Sequence, residues 1–445
     1  MCKLLIKNAT VINEGKRFIK DVLIEEEKIS SISTNITVDS TTEVIDANGL
    51  ILIPGMIDDQ VHFREPGLTH KGNILSESKA AIAGGVTSYI EMPNTSPNTT
   101  TIKEFNKKIK IATTDSFANF SFMFGGTNDN IDEIKKIDPS KVPGIKLFLG
   151  SSTGKMLIDN LNSIEKIFSI VSIPISAHCE DEETIKINSK KYREIFGEDV
   201  PMEYHPRIRS EAACYKSSKY ATELAKKTGA RLNVFHISTQ KELELFDNNL
   251  PVIQKKLTAE VCAHHLWFTD KDYKRLGSKI KWNPAIKSKS DKISLWKAIK
   301  EDKIDIIASD HAPHTETEKE NSYFNCPSGG PMVQHTIICL LDESSRQGVS
   351  IEKVVEKIAH NPSKVFNIKE RGFVREGYYA DLVLIDPNSP TVVTKKSLLY
   401  KCGWSPFEGL TFSSSIHTTI LNGKVVYTDG KVNETPYGKK LVFDR

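Results

Sequence analysis

Apolar residues fall into short runs whose texture changes twice along the chain. From Met1 to about Leu52 they mix with polar ones: Leu4-Leu5-Ile6, Thr10-Val11-Ile12, Val22-Leu23-Ile24 and Ile29-Ser30-Ser31-Ile32, separated by turn formers and charged stretches. Short β-rich runs between such breaks predict strands. The far end is similar, with Ala380–Asp386 and Thr418–Tyr427, the latter interrupted by the hairpin signal Asn422-Gly423. Between these ends the runs Ile51–Ile57, Val86–Met92, Asn119–Phe124, Gly144–Leu149, Ile173–Ala177, Arg231–Phe235, Leu257–Val261 and Ile304–Ala308 alternate with amphipathic patterns such as Glu211–Lys227 and Lys292–Lys300. Eight strands alternating with helices predict an α/β fold, a (β/α)8 TIM-like barrel. The expected division is a barrel over 53–370 and a small β-sandwich built from both termini, 1–52 with 371–445. Two unrelated β extensions are the other arrangement. No internal repeat and no low-complexity tract interrupts this order.

A barrel alone takes roughly 250 residues, so 445 residues leave room for the second body. Charge changes the picture by exclusion. Lysine is scattered and the net charge is only +3, which argues against nucleic acid or an anionic membrane as partner. Seven cysteines, Cys2, Cys179, Cys214, Cys262, Cys326, Cys339 and Cys402, form no CxxC pair, as expected for reduced thiols. The first residues lack the apolar stretch of a signal peptide and no run is long enough to span a bilayer, so a cytoplasmic protein is expected.

Chemistry gathers at the C-terminal ends of the expected strands, the face where barrel enzymes carry their sites. Ile51–Ile57 reads as one buried strand, from whose end Gln60, His62 and Arg64 alternate onto one face. The second strand ends in Pro93-Asn94, the fourth carries Lys146, the fifth ends in His178 and the sixth in His236. The eighth runs into Ser309-Asp310-His311-Ala312-Pro313-His314. A single strand-end histidine is usually structural, but three on separate strands with an aspartate suit a catalytic zinc with an open coordination position. Water on such an ion ionises near pH ~7. As an ammonium, Lys146 cannot bind a cation. As a neutral amine it can add carbon dioxide to form a carbamate that bridges two metals. From the residues alone, a lysine paired with a carboxylate or snorkelling stands beside that reading.

Ile53-Pro54-Gly55-Met56-Ile57-Asp58 leading into Val61-His62-Phe63-Arg64-Glu65-Pro66-Gly67 resembles the opening motif of the dihydroorotases. Met92-Pro93-Asn94-Thr95, Gly144–Leu149, Ala177-His178-Cys179-Glu180, Phe235–Thr239 and Ala308–Thr315 continue the resemblance. Gly377–Leu384 and Gly403–Gly409 are similar to the family's returning strands. The resemblance implies a zinc-dependent cyclic amidohydrolase interconverting N-carbamoyl-L-aspartate and L-dihydroorotate in pyrimidine synthesis. It also implies a carboxylated Lys146 bridging two zinc ions, with His178 and His236 on one and His62 and Asp310 on the other. Asp310 would be the general base and acid. Arg64 and Asn94, aided by His314, would hold a substrate carboxylate. Ser152 and Thr153 fall in the flexible stretch Gly150–Met156, whose composition suits an ordinary loop as well as the lid that the resemblance implies. Asn283, Gly329 and Gly330 are further candidates facing the ring.

Two positions depart from the family pattern. Gln60 stands where the first histidine of an HxH pair is expected, and its neutral carbonyl is a poorer zinc ligand. One firmly bound zinc and a second that is weaker, differently liganded or absent are therefore expected. Lys287 ends Trp282–Lys287 where the family has arginine, keeping the charge without the fork. His264 and His265 read as packing or substrate-side groups, and Cys179 and Cys262 as buried thiols without a catalytic role. Hydantoinases and allantoinases are the rival enzymes, and Arg64 separates them, since their rings carry no carboxylate at that point. A non-catalytic scaffold for a transcarbamoylase would be expected to lose the ligand set together, and here it is retained. The partner is a small molecule bearing a carboxylate, and a homodimer is the expected assembly.

Overall fold

A computed structural model of the chain describes residues 3–150 and 156–445. The expected lid residues Ser152 and Thr153 lie outside the described residues.

The eight barrel strands are Met56–Val61, Val86–Glu91, Asn119–Phe122, Ile145–Leu149, Ile175–Cys179, Leu232–Val234, Leu257–Cys262 and Ile306–Ala308. Neighbouring strands pair in parallel. The third continues past Met123 as Phe124–Gly125, which pairs with the fourth. The ring closes where Val61 bridges His311 in parallel and the His62 amide donates to the His311 carbonyl at 2.7 Å. Helices cover the outside, which is why these strands are buried on both faces and read as unbroken apolar runs. Glu211–Thr228 is one such helix. The Ser210 side chain caps its first turn by accepting from the Ala213 amide, and Gly229 ends it in the left-handed region at φ 76°.

Both chain ends enter one sheet. Its order is Lys431–Val432, Lys424–Thr428, Ser415–Leu421, Leu382–Asp386, Ile51–Pro54, Lys3–Asn13, Lys16–Glu25 and Lys28–Ser33, with Glu43–Asp46 added beside Lys3–Asn13. Asn422 (φ 48°) and Gly423 (φ 77°) make the expected two-residue hairpin, closed by the Leu421–Lys424 pair.

The run Ile51–Ile57 is not one strand. Ile51–Pro54 belongs to the terminal sheet, antiparallel to Leu382–Asp386, while Met56–Val61 opens the barrel. The chain changes sheets at Gly55, where a Cβ would lie 2.2 Å from the Thr87 side chain. The terminal sheet thus reaches Pro54, beyond the expected limit at residue 52. Strict alternation also fails past Ile57. Asp58 pairs with Tyr89 and Val61 with Glu91, so one extra residue bulges the first strand. Three consecutive side chains then meet other barrel strands: Asp58 Oδ1 accepts from the Ser309 amide at 3.1 Å, Asp59 lies against Glu260, and Gln60 Oε1 accepts from the Cys262 thiol at 3.5 Å.

Among the described residues no helix is long and apolar enough to cross a membrane. The six described cysteines are free, as the odd, dispersed set led us to expect.

Candidate active site

A cavity of about 460 Å³ opens at the C-terminal mouth of the barrel. Gln60, His62, Arg64, Asn94, Lys146, His178, His236, Asn283, Asp310 and Gly329 all line it, together with Phe148, Trp282, Ala312 and Ser328. Arg64 (φ 72°), His236 (φ 42°) and Asp310 (φ 46°) take left-handed backbone where the chain turns off strands one, six and eight. For L-residues with bulky side chains this costs on the order of 1–3 kcal/mol each, a cost typical of positions where side-chain aim outranks local stability.

The fourth, fifth and sixth strands supply the first group. His178 Nδ1 and His236 Nε2 face one another at 2.9 Å. On its far side, His178 Nε2 lies 3.1 Å from Glu180 Oε2, though off hydrogen-bond alignment. Burial opposes ionisation of Glu180, yet the buried Arg209 guanidinium paired with it, together with His178, holds it down to about 2. A fixed carboxylate there keeps the proton on Nε2 and leaves the Nδ1 lone pair pointing into the cavity. Burial and its neighbour His178 hold His236 well below the usual imidazole range, so it is neutral too. Lys146 is buried with no hydrogen-bond partner for its amine, which sits 3.9 Å from the Phe235 ring centroid. Burial lowers it to about 8, against the pull of Glu260 and Asp310.

The first, second and eighth strands supply the other group. His62 Nδ1–H donates to Asn94 Oδ1 at 2.8 Å, which leaves Nε2 bare, 3.3 Å from Asp310 Oδ1. Burial raises Asp310 to about 7 and holds His62 well below its usual value. Two lone pairs that close need a proton or a cation between them.

These donors fit a metal. The His178 and His236 rings meet nitrogen to nitrogen at 2.9 Å beside a lysine with no hydrogen-bond partner among the described residues, and His62 Nε2 faces Asp310. The group around Lys146 has its full donor set. Gln60 is spent on Cys262 instead of facing His62 as a second imidazole would.

One wall of the cavity is basic. Arg64 Nε donates to the Pro313 carbonyl at 3.0 Å, and Nη2 lies 3.0 Å from His314 Nε2. Lys71 Nζ lies 3.1 Å from His314 Nδ1 and pairs with Glu318 at 2.9 Å. His314 therefore stands behind Arg64 rather than lining the cavity. Gly330 also stays back: its carbonyl accepts from the Ala312 amide at 2.9 Å, and a Cβ there would meet the Trp282 ring at 2.6 Å. Lys287 bonds its own neighbour's carbonyl, Ala285, at 3.0 Å and does not line the cavity. Neither Gly330 nor Lys287 is among the residues lining the cavity.

Sequence reasoning missed Phe148, Trp282 and the Glu180–Arg209 pair. Phe148 was within reach, being two positions after Lys146 on the same strand face. Trp282 and Arg209 come from loops that no periodicity marks.

Buried neutral imidazoles beside an unpartnered amine and an acid poised near neutrality are equipment for activating water, and on a parallel barrel they define a hydrolase. The model of the amidohydrolase family matches residues 51–426, and the chain belongs to that family. A dihydroorotase of Methanosarcina acetivorans is 31% identical over 97% of this chain and 93% of its own length. An allantoinase of Desulfitobacterium hafniense is 30% identical over 98% of each chain. Among solved structures, the L-hydantoinase (dihydropyrimidinase) from Arthrobacter aurescens superposes with a TM-score of 0.93 at 26% identity, covering 99% of this chain and 100% of that one. The expected barrel, the expected family and the expectation of an enzyme are thereby borne out.

Proposed function

We propose that this chain is a zinc-dependent dihydroorotase, interconverting N-carbamoyl-L-aspartate and L-dihydroorotate in pyrimidine biosynthesis. One observation carries the choice among cyclic amides: Arg64, a guanidinium buried in the cavity wall beside His62 and Asp310. Two of its nitrogens are spent on Pro313 and His314, which fixes the plane of the fork. Nη1 has no partner of its own and can receive a ring carboxylate. Hydantoin and allantoin offer no carboxylate to match it.

Lys146, His178 and His236 would hold one zinc ion, and His62 with Asp310 the other. Bound there, zinc would polarise the scissile carbonyl and lower the pKa of water. Lys146 is suited to carbon dioxide capture, because burial brings its amine near neutrality and leaves it unpaired. Asp310 takes the proton from the attacking water and returns it to the leaving ring nitrogen, a role that a carboxyl near 7 fills in both directions. Asn94 fixes the His62 ring, and Glu180 fixes that of His178. Phe148 and Trp282 give the ring an apolar floor that excludes water.

Hydrolysis of dihydroorotate, hydantoin and allantoin should be assayed side by side on purified protein, with and without added zinc. Dihydroorotate should be turned over far faster than the other two. Turnover of hydantoin without dihydroorotate would overturn the substrate, and no turnover of any ring in zinc would favour the scaffold.

A further inference from the structure

Next to Asp310 stand two donors, Cys262 and His264, that the reaction above does not use. Cys262 ends the seventh strand fully buried, its thiol aimed at Gln60. His264 follows in the short helix Ala263–Trp267 and stacks on Trp282, centroids 4.5 Å apart at 13°. The ring is fully buried and neither nitrogen has a hydrogen-bond partner in good geometry, the Ser309 backbone being the polar group beside it. Stacking satisfies the face of an imidazole and does nothing for its nitrogens, so the site is incomplete as packing alone. One ligand atom each from Cys262, His264 and Asp310 lies within 4.8 Å of the other two.

We propose that Cys262, His264 and Asp310 hold a divalent metal ion, replacing the position that Gln60 weakens. This rests on the metal-dependent reading above and revises it at the second ion, where Cys262 and His264 take the place given to His62 and Asp310 stays a ligand. Thiolate, imidazole and carboxylate together suit zinc. The thiolate and carboxylate bring two negative charges to a dication, where the Gln60 amide brings none. Uptake breaks the Cys262 S–H bond, places the sulfur lone pair on the ion and releases one proton to solvent. Asp310 can serve both groups, one oxygen toward His62 and the other toward Cys262. His62 is then a neighbour of this ion through Asp310, and the Lys146 group keeps its own.

Cobalt(II) reports the ligands directly. The full chain, stripped with a chelator, is titrated with cobalt(II) while bound cobalt per chain and the near-ultraviolet thiolate-to-cobalt charge-transfer band are followed. The band should grow with bound cobalt in the unmodified protein. Cys262→Ser should abolish it while the visible ligand-field bands of the other ion remain. His264→Gln should weaken the band-forming ion by at least about tenfold. Cobalt bound without a thiolate band, or a band unchanged in Cys262→Ser, overturns this proposal and leaves the Lys146 site standing. Failure to bind any cobalt overturns the metal-dependent reading and this inference with it. The unmodified chain decides the matter even where a variant fails to fold.

Discussion

On the proposed function, Arg64 would do at the scale of one residue what the whole barrel cannot, which is to tell one five- or six-membered cyclic amide from another. Burial lowers its pKa to about 10, so it remains a cation at neutral pH. A buried cation without a full set of partners is costly, and a substrate carboxylate removes that cost in the bound state. Arg64→Lys keeps the charge but loses the two-pronged geometry. We expect kcat/KM for dihydroorotate to fall about 10–100-fold, equivalent to ~1.5–3 kcal/mol for a charge-assisted hydrogen bond. Residual turnover of a ring without a carboxylate should change by less than about threefold. Steady-state kinetics on both substrates checks this, and equal losses on both would show that Arg64 merely supports the fold. Lys146 makes the second residue-scale case. Lys146→Ala removes the only amine among these donors, and we expect metal content and turnover to fall together, read by elemental analysis beside the assay.

Elements decide where those residues stand, and the junction at Gly55 is the tightest of them. Any side chain there enters the space of Thr87, on the second strand where its register with the first shifts. Gly55→Ala should cost ~1–3 kcal/mol by overpacking, seen as a lower urea midpoint with an unchanged slope. An unchanged midpoint would mean that Thr87 simply turns aside. The same junction shows what could be read beforehand. Eight strands and their chemistry-bearing ends were legible, because parallel strands covered by helices are continuous apolar runs with ligands just past them. The break inside Ile51–Ile57 was not, since the run is equally apolar in either sheet and only the close approach at Gly55 separates them. Nor was the bulge after Asp58, which sets Gln60 against Cys262. The pairing of Glu180 with Arg209 was hidden because a long-range ion pair leaves no local pattern. His314 does stand beside Arg64, its Nε2 3.0 Å from Nη2, and no local pattern marked that it lies behind the guanidinium.

The two bodies of the molecule are joined by a buried polar knot at the foot of the barrel. Asp381, at the entry to Leu382–Asp386, pairs with the Arg371 guanidinium and accepts from Asn119 Nδ2 at 3.1 Å and from the Asn422 amide at 2.8 Å. Asn119 belongs to the third barrel strand and Asn422 to the terminal hairpin. Asn119 Oδ1 in turn accepts from Asn422 Nδ2 at 2.9 Å and from the Lys439 amide at 3.0 Å. At the opposite end, Trp404 from the C-terminal segment donates to the carbonyl of His314 at 2.7 Å, so that segment also steadies the loop behind Arg64. Apolar packing continues across the same boundary, with Ile12, Ile53, Val383 and Ile385 in one buried cluster with barrel residues. Terminal sheet and barrel should therefore unfold as one cooperative unit, far-ultraviolet circular dichroism and tryptophan fluorescence tracing the same urea transition. Asp381→Ala leaves Arg371 buried without its counter-charge, which costs ~3–5 kcal/mol when one partner of such a pair is removed. The midpoint should drop sharply while the two probes still coincide, because the knot belongs to both bodies. Two separated transitions in this variant would mean that Asp381 is what couples them; two in the unmodified chain would mean that the terminal sheet folds independently of the barrel.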